Sequence, residues 1–131
     1  MSGIPSGSGS EVLKSGTIHE LSNTITEYKL DGSYETASGN TSNSAVPTNH
    51  IITILNIIIV NHADDADEKV SLFVYNGSTD IWLLNEQTLN RQDTFVWDEK
   101  LVLQPTWKLK SKLMTAGNVD ITYSYIVQNW S

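Results

Sequence analysis

The 131-residue chain contains no cysteine. That excludes both a disulfide framework and thiolate chemistry, and it leaves the redox compartment undetermined. Basic residues are scarce as well: eight Lys and Arg against fifteen Asp and Glu give a formal net charge of −7. Nucleic-acid affinity comes mostly from cations neutralising phosphates, so no nucleic-acid partner is expected. The N-terminus has no positive cluster followed by an apolar run, so no signal peptide is expected. The longest apolar run is broken by Thr53 and Asn56 and is too short to span a bilayer, so no membrane partner is expected either. Charged residues make up only 18% and hydrophobic residues 39%, both low for a globular protein. Polarity is carried instead by Ser, Thr, Asn and Gln, and no stretch shows a sustained helical period with caps.

What the chain does have is His50-Ile-Ile-Thr-Ile-Leu-Asn-Ile-Ile-Ile-Val-Asn61, with isoleucine at six of its twelve positions. β-branched side chains are stiff at the first torsion and fit a pleated sheet, so this segment is a strand. Strict alternation would send Ile52, Ile54, Ile58 and Val60 to one face and Ile51, Leu55, Ile57 and Ile59 to the other. Both faces are then apolar, whereas a strand with one side in water alternates apolar and polar. The second face requires a cover, and in so polar a chain that points to assembly rather than catalysis.

The rest of the chain reads as short strands and turns. Met1 to Ser10 is a Gly- and Ser-rich arm, flexible or held by a partner. Strands are expected over Glu11 to His19 and Ile25 to Leu30, followed by a polar surface loop over Thr36 to Ala45. Pro47 marks the approach to the isoleucine strand. Further strands are expected at Lys69 to Tyr75, Ile81 to Leu84, Thr94 to Trp97 and Lys100 to Leu103. Asn76-Gly77 is a hairpin signal, because both residues tolerate positive φ. Thr106 to Leu113 and Val119 to Val127 alternate most cleanly, with Met114 to Asn118 as the loop between them. Eight or nine short strands imply an all-β antiparallel sandwich or jelly roll, with the arm at residues 1–10 and one domain over residues 11–131.

No catalytic signature emerges. There is no Gly-x-Ser-x-Gly elbow, phosphate loop or His-Glu-x-x-His, and His19, His50 and His62 are scattered. No catalytic residue, cofactor or metal is therefore expected. The acidic run Asp64, Asp65, Asp67 and Glu68 lacks the pattern of a calcium loop and reads as a solvated hairpin tip. Asn40-Thr-Ser, Asn76-Gly-Ser and Asn129-Trp-Ser match the glycosylation acceptor pattern by chance in so Ser- and Asn-rich a chain. Trp97 and Trp107 are expected in the core and Trp82 and Trp130 at a subunit contact, where aromatics are enriched. The alternative is a sugar-stacking platform of tryptophans. Lys108, Lys110 and Lys112 share one face, either for solubility or to meet an acidic patch.

Several stretches together resemble small structural proteins from the virions of tailed bacteriophages, particularly contractile-tailed ones. They are Ile4-Pro-Ser-Gly-Ser-Gly-Ser-Glu-Val-Leu-Lys14, Val46-Pro-Thr-Asn-His-Ile-Ile-Thr-Ile-Leu55, Asn76-Gly-Ser-Thr-Asp80, Thr94-Phe-Val-Trp-Asp98 with Leu101-Val-Leu103, and Tyr123-Ser-Tyr-Ile126 through Trp130. Gln128-Asn129 departs from the more acidic ending of that pattern. The resemblance implies a non-enzymatic β-sandwich in the virion, assembled in the host cytoplasm, with no active-site residues. It does not settle the place in the particle; the expectation is exterior capsid decoration bridging capsid subunits, and the alternative is a neck, collar or tail accessory. The alternative of another class is a glycan-binding module on the particle. The expected partners are the chain itself, as a trimer, and the major capsid protein or neck and tail proteins. The expected contact residues are Ile4, Pro5, Val12, Ile51, Leu55, Ile57, Ile59, Trp82 and Trp130.

Overall fold

A computed structural model describes residues 10–30, 44–115 and 117–129. These form nine strands: β1 (Ser10–Ile18), β2 (Thr26–Glu27), β3 (His50–Asn61), β4 (Glu68–Tyr75), β5 (Asp80–Leu89), β6 (Thr94–Trp97), β7 (Leu101–Leu103), β8 (Lys108–Leu113) and β9 (Val119–Asn129). Every pairing is antiparallel. One sheet runs β1-β9-β3-β6, with β7 also on β3, and the other runs β2-β8-β4-β5.

Together β6 and β7 act as a single strand, since both pair with β3, β7 against Ile52 to Ile54 and β6 against Ile57 to Val60. The pairs are then β1 with β9, β2 with β8, β3 with β6 and β7, and β4 with β5, like the rungs of one long hairpin rolled into two layers. That is the strand order of a jelly roll. The chain is all-β and antiparallel, as its alternation implied.

Between the sheets lies the core. Ile52, Ile54, Ile57 and Ile59 of β3 meet Ile121, Tyr123 and Tyr125 of β9, and Val70, Leu72, Leu109 and Leu113 of the other sheet. Tyr28 and Tyr123 pack with ring centroids 4.8 Å apart, and Tyr125 stacks on Tyr123 at 5.7 Å. Each buried hydroxyl finds a partner, as buried polar groups must. Tyr123 donates to the Lys29 carbonyl at 2.6 Å, and Tyr28 donates to Ser111 Oγ at 3.1 Å, which in turn donates to the Ser71 carbonyl at 2.8 Å. Burial pushes the Tyr28 hydroxyl pKa far up, with only partial relief from Ser111. Opposite Tyr123 in the β1 ladder sits Gly16, and a Cβ there would strike the tyrosine ring. Only glycine lets that ring lie across the strand.

Within β3 the expectation of strict alternation fails. The register against β9 shifts between Ile54 and Asn56, leaving Leu55 as an extra residue. Such a β-bulge reverses the facing of everything beyond it. The buried set is Ile52 and Ile54 before the bulge, then Ile57, Ile59 and Asn61 after it. Ile57 and Ile59, expected on the partner face with Ile51 and Leu55, lie in the protein's own core. Ile58 and Val60 take their place on the outer face.

Asn61 closes this strand from inside. Its side-chain amide donates to the carbonyls of Ala66 and Leu89, and its oxygen accepts from the Ala63 amide. These bonds shape the β3–β4 loop. The Asn76-Gly77 hairpin is as expected: Gly77 has φ 91°, and Asn76 Oδ1 accepts from the amides of Ser78 and Thr79.

Candidate assembly interface

In an antiparallel sandwich the outer faces of the sheets meet water and are normally polar. The four-stranded sheet follows that rule. Lys108, Lys110 and Lys112 alternate with the inward Leu109, Ser111 and Leu113. Lys110 Nζ lies 3.3 Å from Asp80 Oδ1 and over the Tyr75 ring, and Lys108 Nζ lies 3.3 Å from Glu27. The acidic patch that Lys108 and Lys110 meet is thus within their own sheet.

The five-stranded sheet breaks the rule. Outward on β3 are Ile51, Thr53, Leu55, Ile58 and Val60, all half-buried. Thr53 sits between Ile126 of β9 and Val102 of β7, and Ile126 is opposite Leu13 of β1. Ile58 is opposite Val96 of β6. Leu13, Val96 and Val102 are 69%, 52% and 49% exposed. An apolar band therefore crosses the sheet from β1 to β7. It is indented where Leu55 bulges, by a recess of about 530 Å³ lined by Leu13, Lys14, Ser15, Leu55, Asn56 and Ser124. Around the β7 edge Val102 continues into an apolar cleft of about 250 Å³ with Ile81, Leu83, Leu101 and Trp107. Exposed apolar side chains grouped in this way, with Thr53, Ser15 and Ser124 among them, make this face the candidate contact surface.

The other expected contact residues divide. Ile51 and Leu55 are on the apolar band. Val12 is exposed but pairs with Val127, on the inward-facing side at the end of β1. Trp82, half exposed, rests against Phe73 on the outside of the other sheet. Ile4, Pro5 and Trp130 lie outside the described residues, as does most of the loop expected over Thr36 to Ala45. Trp97 and Trp107 are half-buried and pack against the core rather than inside it. The described tryptophans share no common face, so they form no joint stacking platform.

Two clusters were not visible in the sequence order. His19 and His62, read as scattered, converge on Asp120: His19 Nδ1 is 2.9 Å from Oδ1 and His62 Nε2 3.4 Å from Oδ2. The Glu20 amide also donates to Asp120 Oδ1, with Glu20 at φ 57°. Among the described residues no group of three or more acidic or histidine side chains is placed to hold a metal ion. Glu68, expected at a solvated tip, is buried against Gly117, and desolvation raises its carboxyl pKa.

No family model matches the chain, and no curated protein matches it. Among solved structures it is similar to a chain of the acid-stable capsid of Helicobacter pylori bacteriophage KHP30. The identity is 10% over 94% of each chain, with a TM-score of 0.47. It is also similar to the PRD1 vertex protein P5, at 13% identity over 94% of this chain and 96% of that one, TM-score 0.47. A chain of the naturally occurring empty particles (top component) of cowpea mosaic virus gives 12% identity over 93% and 87%, TM-score 0.45. The fold stands on the strand pairing, not on these likenesses.

Proposed function

We propose that this protein is a non-enzymatic structural protein of a tailed-phage particle, seated on the capsid exterior as a decoration that bridges neighbouring capsid subunits. A jelly roll hosts many unrelated functions, so the fold does not carry this reading. The apolar band on the outer face of the five-stranded sheet carries it, together with the stretches that resemble small virion proteins. Fully burying one of its Ile, Leu or Val side chains contributes about 1.5–3 kcal/mol, so covering Leu13, Ile51, Ile58, Val96 and Val102 together supplies the driving force from which the cost of association is subtracted. Self-association as a trimer covers part of the band and leaves the rest for the particle. Residues 11–131 form one domain in this reading, and the arm before it, with Ile4 and Pro5, serves as the anchor to the capsid. Three arms on one oligomer bind together through effective concentration.

The test places a charge on the band. Ile58→Asp and Val102→Asp replace outward side chains and leave the core untouched, so both variants should fold. Sedimentation of the purified variants should show loss of the oligomer, and particles lacking the protein should fail to take them up. An oligomer and an occupancy equal to the parent's would remove the band from the interface. Deleting residues 2–9 leaves β1 intact and should weaken particle uptake without disturbing the fold. Imaging of occupied particles distinguishes the capsid exterior from the neck or tail, where the same band would serve.

A further inference from the structure

On the opposite side of the molecule, the outside of the four-stranded sheet carries a recess of about 310 Å³ lined by Asn23, Ser71, Trp82, Asn85, Glu86 and Lys112, among others. Three features set it apart from ordinary surface. The first is Trp82, 50% exposed, whose ring is propped on the buried Phe73 at a centroid distance of 4.9 Å. A half-exposed indole held by a ring behind it is a rigid stacking surface with an N–H at its rim.

The second feature is the backbone beside it. Between Leu84 and Gln87, which pair with Leu72 and Val70, β5 carries two residues, Asn85 and Glu86, opposite the single Ser71, one more than a regular ladder allows. Glu86 has φ 50°, a left-handed conformation unusual for a residue with a side chain, and its amide is fixed by Ser71 Oγ at 3.0 Å. Bulges and strained residues of this kind re-aim side chains and gather at binding sites. Here they bring Asn85 and Glu86 to the recess.

The third is the polar set. Lys108 and Lys110 are engaged by Glu27 and Asp80, whereas among the described residues no carboxylate is within ion-pairing distance of Lys112. The recess thus presents an ammonium group, a carboxylate and two carboxamides around one aromatic face. Donors and acceptors are both present and the two charges cancel, which suits a neutral, hydroxyl-rich ligand and disfavours a phosphate.

We propose that this recess binds one neutral pyranose residue of a carbohydrate. The sugar's C–H face stacks on Trp82 and its hydroxyls bond to Asn85, Glu86, Lys112 and Asn23. The volume lies at the small end of ligand clefts, enough for a single sugar ring and part of its neighbour. The site differs from the tryptophan platform the sequence suggested, because one ring and a bulged strand make it. It is independent of the assembly reading, since the two surfaces are on opposite sheets.

The test is saturation-transfer NMR on the full chain with the methyl glycosides of glucose, galactose, mannose and N-acetylglucosamine. At least one should bind with a roughly millimolar dissociation constant. Trp82→Ala should weaken it about tenfold or more, the size of a lost aromatic stack, and Trp82→Phe should restore part of it. Lys112→Met, a change at a half-buried position that leaves Trp82 on Phe73, should weaken binding severalfold with an unchanged melting temperature. Ile58→Asp should bind sugar as the parent does, whatever becomes of assembly. Absence of transfer to every glycoside, binding indifferent to both Trp82→Ala and Lys112→Met, or stronger binding of a nucleoside would overturn the proposal.

Discussion

Two single-residue deletions in β3, three positions apart, should behave in opposite ways. Leu55 is the surplus residue of the bulge, flanked by the pairs Ile54–Tyr125 and Asn56–Ser124. Deleting it joins those rungs into a regular ladder and leaves Ile52, Ile54, Ile57 and Ile59 facing inward. The cost is the half-buried leucine side chain, about 1 kcal/mol, roughly half of what full burial contributes. Deleting Ile58 consumes the surplus differently. If Ile59 and Asn61 keep their places, the alternation puts Asn56 where Ile57 had been. That loses one fully buried isoleucine, about 1.5–3 kcal/mol, and buries a carboxamide without partners, about 1–3 kcal/mol more. Urea unfolding followed by tryptophan fluorescence should show a small midpoint shift for the first deletion. The second should show a loss of about 2.5–6 kcal/mol, a large part of a typical domain's stability. Equal losses would refute the bulge as the device that sets the facing of β3.

Further expectations follow from single contacts. Gly16→Ala should cost about 1–3 kcal/mol by overpacking against Tyr123, whose ring is pinned by the Lys29 carbonyl and cannot withdraw; thermal unfolding measures it. Asn61→Ala should cost about 1–3 kcal/mol by orphaning buried groups in the β3–β4 loop, with faster amide exchange at Ala63 as the local readout. Desolvation raises the Glu68 pKa in the folded state, so its relative contribution is fully present below the unfolded carboxyl pKa and is lost as pH rises through the raised value. Glu68→Gln should therefore stabilise the protein at neutral pH, with a gain that vanishes in acid; unfolding midpoints across pH test this. Millimolar calcium should leave the melting temperature unchanged, since Asp67 already accepts the Arg91 amide; a rise abolished by Asp67→Ala would contradict it.

The strands were legible because alternation with period two survives in short segments: Lys108 to Leu113 and Val119 to Tyr125 face as written. The Asn76-Gly77 turn was legible because its chemistry is local. The facing of Ile57 and Ile59 was not, because a bulge is decided by register against β9 and leaves no mark in β3 itself. The sequence correctly indicated an apolar second face but assigned half of its members wrongly. The meeting of His19, His62 and Asp120 depends on strands distant in the chain, and so does the recess at Trp82, which needs Ser71 and Lys112 beside a bulged β5. The burial of Glu68 beside Gly117 is hidden for the same reason, since a charged run looks alike whether or not one member turns inward.

The position of β9 constrains the order of events during biosynthesis. It is made after every other described strand, yet it is inserted between β1 and β3 and pairs along almost the whole length of each. Until it emerges, β1 has no partner and β3 can pair only with the short β6 and β7. The extended pairings available before it are β4 with β5 and β4 with β8, both in the other sheet. Non-local pairing of this kind is intrinsically slow. For that interval the nascent chain leaves the β9-side edge of β3 unpaired, and such exposed strands are prone to aggregate. Pausing translation just before Val119, or supplying β9 as a separate peptide to a chain that stops there, would show whether this strand alone commits the jelly roll to closure.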